Sequence, residues 1–359
     1  MPQLHAYAAR SPSSGLAPMP IERREPRADD VVIAIDFCGI CHTDIHFVHN
    51  DWGISVYPVV PGHEIVGRVV AVGAEVSRFR PGQRVGVGCL VDSCRDCGAC
   101  HDGLEQYCER GWVATYNGID RHDGSPTYGG YSEGIVVSER FVLRMPESLD
   151  AAAAAPLLCA GITTYSPLRH FGLAAGDRIG VIGMGGLGHM GIKFARAMGA
   201  EVSLFTRSPD KAAEAKAHGA DHVIVSTDRD AMRAAAGRFD FLLDTVPVAH
   251  DVNRYIATLK RDGTCIMVGM PEPITPPLDA GPLIFGRRRV AGSLIGGLAE
   301  TQEMLDFCAE HGIVCDIEML DIRDVDTAYE RMQRGDVRYR FVIDMTTLRG
   351  AGQAPAGAR

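Results

Sequence analysis

Ile179-Gly180-Val181-Ile182-Gly183-Met184-Gly185-Gly186-Leu187-Gly188-His189-Met190-Gly191 is the stretch on which the fold turns. Its first four residues read as a buried strand. Gly183 to Gly188 spells G-x-G-x-x-G, and His189 to Met198 reads as a helix that Gly199 ends. The spacing alone is a weak signal. Between a strand and a helix it is a strong one, because the turn glycines let a pyrophosphate approach backbone N–H groups at a helix N-terminus. The bland alternative is a glycine-rich turn without a ligand. Around this unit, from Arg178 to about Gly297, apolar strands alternate with helices, which predicts βαβ units and a parallel sheet.

The strand after the helix, Glu201 to Thr206, ends where NAD enzymes place an acid on the adenosine ribose. No acid stands there; the chain continues Thr206-Arg207-Ser208-Pro209-Asp210-Lys211. A cationic side chain among small hydroxyls suits a 2′-phosphate, so NADP is favoured over NAD. The structural alternative is that Ser208 only caps a helix beginning at Pro209, with Asp210 in its first turn.

Upstream the texture changes. Residues 28–150 are rich in glycine and in short β-branched runs: Val31 to Ile35, Ile65 to Val72 and Arg84 to Val87 read as strands joined by Gly and Pro turns. Cys94, Cys97, Cys100 and Cys108 are spaced C-x2-C-x2-C-x7-C, close enough to reach one tetrahedral ion from a single loop. Four thiolates with no open position describe a structural zinc. An iron–sulfur cluster is the rival, but the ferredoxin run closes with x3-Cys-Pro, and here Glu109 follows Cys108. A second set is scattered: Cys41, His63 and Cys159. Two thiolates and one imidazole leave a fourth position for water or substrate, as catalytic zinc requires, although scattered Cys and His prove little by themselves.

The chain has 359 residues, 46% apolar and 23% charged, so two globular domains are expected. A net charge of -9 argues against a nucleic-acid partner. The start lacks a secretory h-region, and no apolar run is long enough to span a membrane. Eleven cysteines at metal-like spacings suit a reducing, cytoplasmic setting. Ala151 to Ala155 begins a helical segment. Glu300 to His311 and Val325 to Arg334 read as helices and Arg340 to Met345 as a strand. From 347 to 359 the composition predicts disorder.

Taken together the chain resembles the zinc-dependent medium-chain alcohol dehydrogenases, in the cinnamyl-alcohol-dehydrogenase-like branch and nearest its bacterial NADP-dependent aldehyde reductases. The resemblance runs from about residue 3 to 346. It rests on Cys38-Gly39-Ile40-Cys41-His42-Thr43-Asp44, Pro61-Gly62-His63-Glu64 with Gly67 and Gly73, the four-cysteine lobe, Gly186 to Gly191, Asp244-Thr245-Val246-Pro247, Ala291-Gly292-Ser293 and Asp336 to Phe341. One departure is Gln83 after Pro81-Gly82, where the family usually has Asp.

The resemblance implies an α/β chain: a GroES-like, mainly-β catalytic domain (1–155 and 297–346, zinc lobe at about 89–111) and a Rossmann domain, a doubly wound parallel sheet, at 156–296. It implies two zinc ions per chain and NADP(H). Cys41, His63 and Cys159 would bind the catalytic zinc, with Glu64 as a transient ligand and Asp44 orienting the histidine. Thr43 and His46 would relay the proton. His42, Thr163, Gly183, Gly185, Gly186, Leu187, Gly188, Thr206, Arg207, Ser208, Lys211, Thr245, Val246, Val268, Gly269, Ser293 and Arg340 would contact the cofactor. Trp52, Trp112, Met270, Leu294 and Ile295 would wall the substrate.

The activity implied is hydride transfer between NADPH and a small-molecule aldehyde, aliphatic or aromatic, polarised by zinc. Dimerisation would join Rossmann edge strands at Arg289 to Ile295. The Arg287-Arg288-Arg289 run before it reads as a solvated strand entry. Two other classes fit parts of the chain: an NAD-dependent zinc polyol or sugar dehydrogenase, against which Arg207 speaks, and a zinc-stapled binding module, which leaves the fingerprint unexplained.

Overall fold

The structure, a computed structural model, describes residues 3–269 and 273–351, with side chains to Leu348. Met270, expected in the substrate wall, lies outside the described residues. The chain forms two compact units, residues 1–159 with 296–359 and residues 160–295.

The unit 160–295 is built on six parallel strands. Across the sheet they run His222–Val225, Glu201–Thr206, Arg178–Ile182, Phe239–Asp244, Leu259–Met267 and Arg289–Gly292. In order of appearance that is 3-2-1-4-5-6, the doubly wound arrangement, with its reversal between the first and fourth strands. Ile182 and Asp244 are paired at the ends of those two strands. The glycine-rich turn and Thr245-Val246 therefore leave the sheet side by side, at the place where such sheets bind ligands. Central strands are continuously apolar because helices cover both faces; Ile182, Phe205, Leu242, Ile256 and Cys265 form the buried interior. The edge strand stops at Gly292, short of the expected Ile295, whose φ of 34° is left-handed. The three arginines before it are engaged locally: Arg287 pairs with Asp262, Arg288 donates to the Lys260 carbonyl and Arg289 to the Asp262 carbonyl.

The other unit carries a seven-stranded mixed sheet. Its path is Ile317–Asp321, Arg340–Asp344, Asp30–Gly39, Ile65–Val72, Arg84–Val87 and Leu143–Arg144. One edge of the long strand Asp30–Gly39 is shared: Gly134–Ser138 pairs with Asp30 to Ala34, and the Arg340 strand pairs with Phe37 to Gly39. Its pairing with Ile65–Val72 shifts register twice, and the second shift, between Ile35 and Phe37, falls where one partner gives way to the other and bends the strand there. The bend delivers Arg340 to the start of the Cys41 segment, where Ile40 N–H donates to the Phe341 carbonyl at 2.9 Å.

The helix Leu298–His311 begins two residues before the expected Glu300. The start of the tail departs from expectation: Thr346–Ala351 is helical, while residues 352–359 lie outside the described residues. Leu348 is buried, and the Thr347 hydroxyl accepts from Ile322 N–H and donates to the Asp344 carbonyl, so this turn is tied down despite its composition. No single helix among the described residues is long and apolar enough to cross a membrane.

Candidate active site

Cys41 is the N-cap of the helix His42–His49, and Asp44 completes a capping box by accepting from Cys41 N–H at 2.8 Å. The sulfur thus sits at a helix N-terminus, which favours its thiolate. The same buried carboxylate accepts from Gly62 N–H at 3.1 Å and stands 3.5 Å from His63 Nδ1. Asp44 therefore ties the helix start to the His63 loop and turns the imidazole so that Nε2 points away from it. Cys159 closes the group, its sulfur 3.9 Å from that of Cys41. The hydrogen bond with Cys159, above all, holds the Cys41 thiol well below its ordinary range.

Cys41, His63, Glu64 and Cys159 each offer a ligand atom, and these atoms lie within 4.8 Å of one another. His63 Nε2 and Glu64 Oε2 are buried and have no hydrogen-bond partner. Buried polar atoms are normally satisfied, so two orphans facing two sulfurs describe a cation site. Gly39 makes room for the carboxylate: a Cβ there would lie 2.0 Å from Glu64 Oε2. Burial pushes the Glu64 carboxyl up to about 7, against the opposing charge of Arg340.

Arg340, expected beside the cofactor, has its guanidinium buried in an ion pair with Glu64 Oε1. Thr43 Oγ1 lies 3.6 Å from Cys41 Sγ. His46 is half exposed, with Nδ1 2.7 Å from Asp51 Oδ2 and its ring tilted over Trp52 at 4.9 Å. Trp52 is also linked to His63 through other rings: Phe47 at 5.2 Å, then Tyr116 at 5.3 Å, then His63 stacked at 5.7 Å. His42 is exposed and Trp112 half-buried. Sequence reasoning missed Tyr116 and Cys89. Cys89 hydrogen-bonds Cys159, the main cause of its lowered pKa. Neither carries a local signal, because each reads as a core residue until the sheet brings it to the metal ligands.

The second ligand group is the lobe. Cys94, Cys97, Cys100 and Cys108 also lie with their sulfurs within 4.8 Å of one another. Cys94 N–H donates to Cys108 Sγ at 3.3 Å and Glu109 N–H to Cys97 Sγ at 3.4 Å, bonds that favour thiolates. The lobe is fastened to its unit by Glu105, whose carboxylate accepts from Leu298 N–H at a helix N-terminus.

In the other unit, Gly183 has φ 86°, and Gly188 approaches it so closely that a Cβ would sit 2.1 Å from the Gly183 carbonyl oxygen. Gly185 differs: a Cβ there would meet nothing within 4 Å. Packing does not demand that glycine, whereas a pyrophosphate lying on the backbone would. Lys211 Nζ donates to the Met184 carbonyl at 3.2 Å, beside this turn. Arg207 is exposed and makes no hydrogen bond or ion pair among the described residues. Ser208 makes no side-chain cap; its N–H is instead taken by Thr206 Oγ1 at 3.1 Å. Thr245 and Thr163 are buried, Val246, Val268, Gly269 and Ser293 half-buried, Leu294 exposed and Ile295 buried.

Comparison with known proteins agrees with this geometry. The family profile for the alcohol dehydrogenase GroES-like domain matches residues 27–147, and that for zinc-binding dehydrogenases matches residues 186–310. The chain is 56% identical over 344 residues to aldehyde reductase YahK of Escherichia coli, covering 96% of this chain and 97% of that one. A cinnamyl alcohol dehydrogenase structure from Sorghum bicolor superposes with a TM-score of 0.93 at 47% identity, covering 99% of this chain and 100% of that one. A cinnamyl alcohol dehydrogenase from Helicobacter pylori, complexed with NADP(H), gives 0.90 at 41% identity, covering 96% and 98%. The chain belongs to the zinc-dependent medium-chain alcohol dehydrogenases, in their cinnamyl-alcohol-dehydrogenase-like branch.

Proposed function

We propose that the protein is a zinc- and NADP(H)-dependent alcohol dehydrogenase working as an aldehyde reductase on a broad range of aliphatic or aromatic aldehydes. The observation that carries the reading is the buried group of Cys41, His63, Glu64 and Cys159, with His63 Nε2 lacking any other partner. Those residues would hold zinc, which when bound supplies Lewis acidity toward the substrate oxygen; the nicotinamide supplies hydride. Asp44 keeps His63 in the tautomer that leaves Nε2 free. Thr43, with Oγ1 3.6 Å from Cys41 Sγ, would deliver a proton to the substrate oxygen during reduction and take it back in the reverse reaction. His46, half exposed, exchanges a proton with solvent while Asp51 orients its ring. The four-cysteine lobe would hold the structural zinc.

Two features support NADP(H): the free, exposed Arg207 after Thr206, and the NADP(H) complex of the Helicobacter pylori relative. Cytoplasmic location and a homodimer joined at the edge strand Arg289–Gly292 belong to the same proposal. Ile284 and Phe285, 73% and 93% exposed just before that strand, are apolar surface suited to a partner.

Steady-state kinetics with an aldehyde panel tests the reading. Charge-assisted bonds to the 2′-phosphate should give NADPH about a ten- to hundredfold advantage in kcat/KM over NADH. The double substitution Thr206→Asp, Arg207→Leu should erode or reverse it. Equal efficiency with NADH in the wild type would overturn the cofactor assignment.

In the alcohol-oxidation direction His46→Ala should slow turnover most at low pH, where proton loss from the bound alcohol is hardest, by at most about 10²-fold, and leave cofactor affinity unchanged. A pH–rate profile identical to wild type would remove His46 from the reaction.

A further inference from the structure

Asp244, buried at the end of its strand, is gripped by a residue that the reaction does not otherwise use. His250 Nε2 stands 2.9 Å from Asp244 Oδ2, and His250 Nδ1 stands 2.9 Å from the Val248 carbonyl oxygen. Both partners are acceptors. A neutral imidazole has one N–H and can serve only one of them, so satisfying both requires a hydrogen on each ring nitrogen. The ring then donates its Nε2 hydrogen to Asp244 Oδ2. Asp244 and Asp251 are the charged groups acting on it, and Tyr255 of the helix Asn253–Ile256 lies edge-on at 6.0 Å.

The two bonds close a ring around residues 244–250, the segment that enters the proposed dinucleotide site. Val246 N–H donates to Asp244 Oδ1 at 3.2 Å, and Thr245 Oγ1 donates to the Ile182 carbonyl at 2.8 Å. The segment is wedged between two glycines: a Cβ on Gly183 would come within 3.0 Å of Val246 Cγ2, and one on Gly269 within 2.6 Å of the Val246 carbonyl. Val246 is thus the link between the latch and the glycine-rich turn.

We propose that His250, as an imidazolium pinned between Asp244 and the Val248 carbonyl, is a positioning residue for this segment, so that dinucleotide affinity follows its protonation. The inference rests on the NADP(H) reading above. The bond to Asp244, above all, raises the His250 pKa over the ordinary histidine value. A raised pKa means that the latch is complete below the ordinary value and is lost as pH rises through the raised one. Binding should therefore weaken on the alkaline side. The 2′-phosphate of the ligand runs the other way, gaining charge as pH rises through about 6.

The test is fluorescence titration of the full-length, zinc-loaded protein with NADPH between about pH 6 and pH 9.5, a range that spans histidine titration. Wild type should lose about three- to tenfold in affinity toward the alkaline end, the worth of one such hydrogen bond. His250→Gln should be flat and lie at the alkaline wild-type level. Ring ¹⁵N shifts give a readout that needs no variant in the binding assay: the His250 resonance should show both nitrogens protonated near neutrality, with a midpoint matching the binding profile. A flat wild-type profile, the same slope in His250→Gln, or a neutral ring at neutral pH overturns the latch alone. No NADPH binding at any pH overturns the latch and the cofactor reading together.

Discussion

Cys159→Ser is expected to lower the zinc content from two ions per chain to one and to reduce kcat/KM by about 10³-fold or more. Lewis-acid stabilisation at a zinc site is worth several kcal/mol, and 1.4 kcal/mol is tenfold in rate. Removing one of two sulfurs leaves Cys41, His63 and Glu64 with too little thiolate to retain the ion. The fold should survive, since the lobe keeps its own four sulfurs. Cys97→Ser should do the opposite: metal bound by the lobe contributes folding free energy, so thermal stability falls first. Metal analysis by mass spectrometry alongside kinetics separates the two. Near-wild-type turnover in Cys159→Ser with one zinc missing would show that the second group is not where the chemistry happens.

Arg340→Leu should cost about 3–5 kcal/mol, a fall in Tm on the order of 10 °C. Arg340 and Glu64 are both buried and joined by an ion pair, and removing the guanidinium leaves the Glu64 carboxylate buried without its counter-charge. The loss should depend on pH in a stated sense. The Glu64 carboxyl already lies at about 7 with Arg340 present. Without the guanidinium it rises further, and a carboxyl with a raised folded pKa destabilises at pH above its unfolded value and relents as protons bind. The variant should therefore be worse at about pH 8 than at about pH 6. Adding Glu64→Gln should restore part of the stability, because the neutral amide costs less to bury alone. A Tm within a degree or two of wild type would mean that the pair contributes little.

What could be read without coordinates was what local spacing encodes. Strand, G-x-G-x-x-G and helix occupy one run, so Gly183 to Gly188 announced a parallel sheet and its ligand turn. The four lobe cysteines lie within fifteen residues, 94 to 108, and a single loop brings their sulfurs together. The missing acid after Thr206 is likewise a local fact. Cys41, His63 and Cys159 were different: their spacing alone said little, and the family resemblance singled them out.

The tertiary structure decided the rest, because these contacts join residues far apart in the chain. Arg340 is 276 residues from Glu64, and the pairing of its strand with Phe37 to Gly39 carries it to the metal ligands. Cys89 and Tyr116 meet Cys159 and His63 by the same kind of packing. The helix at Thr346–Ala351 forms where composition spoke for disorder, because Leu348 finds a buried place and Thr347 two partners. Asp244 and His250 were within easy view of each other in sequence, yet nothing in their spacing said that both imidazole nitrogens would face acceptors. Sequence determines the periodic elements and the single-loop sites, where the chain's own geometry sets the distances. The charge and hydrogen-bond partners of a buried group are set by whatever the fold places against it.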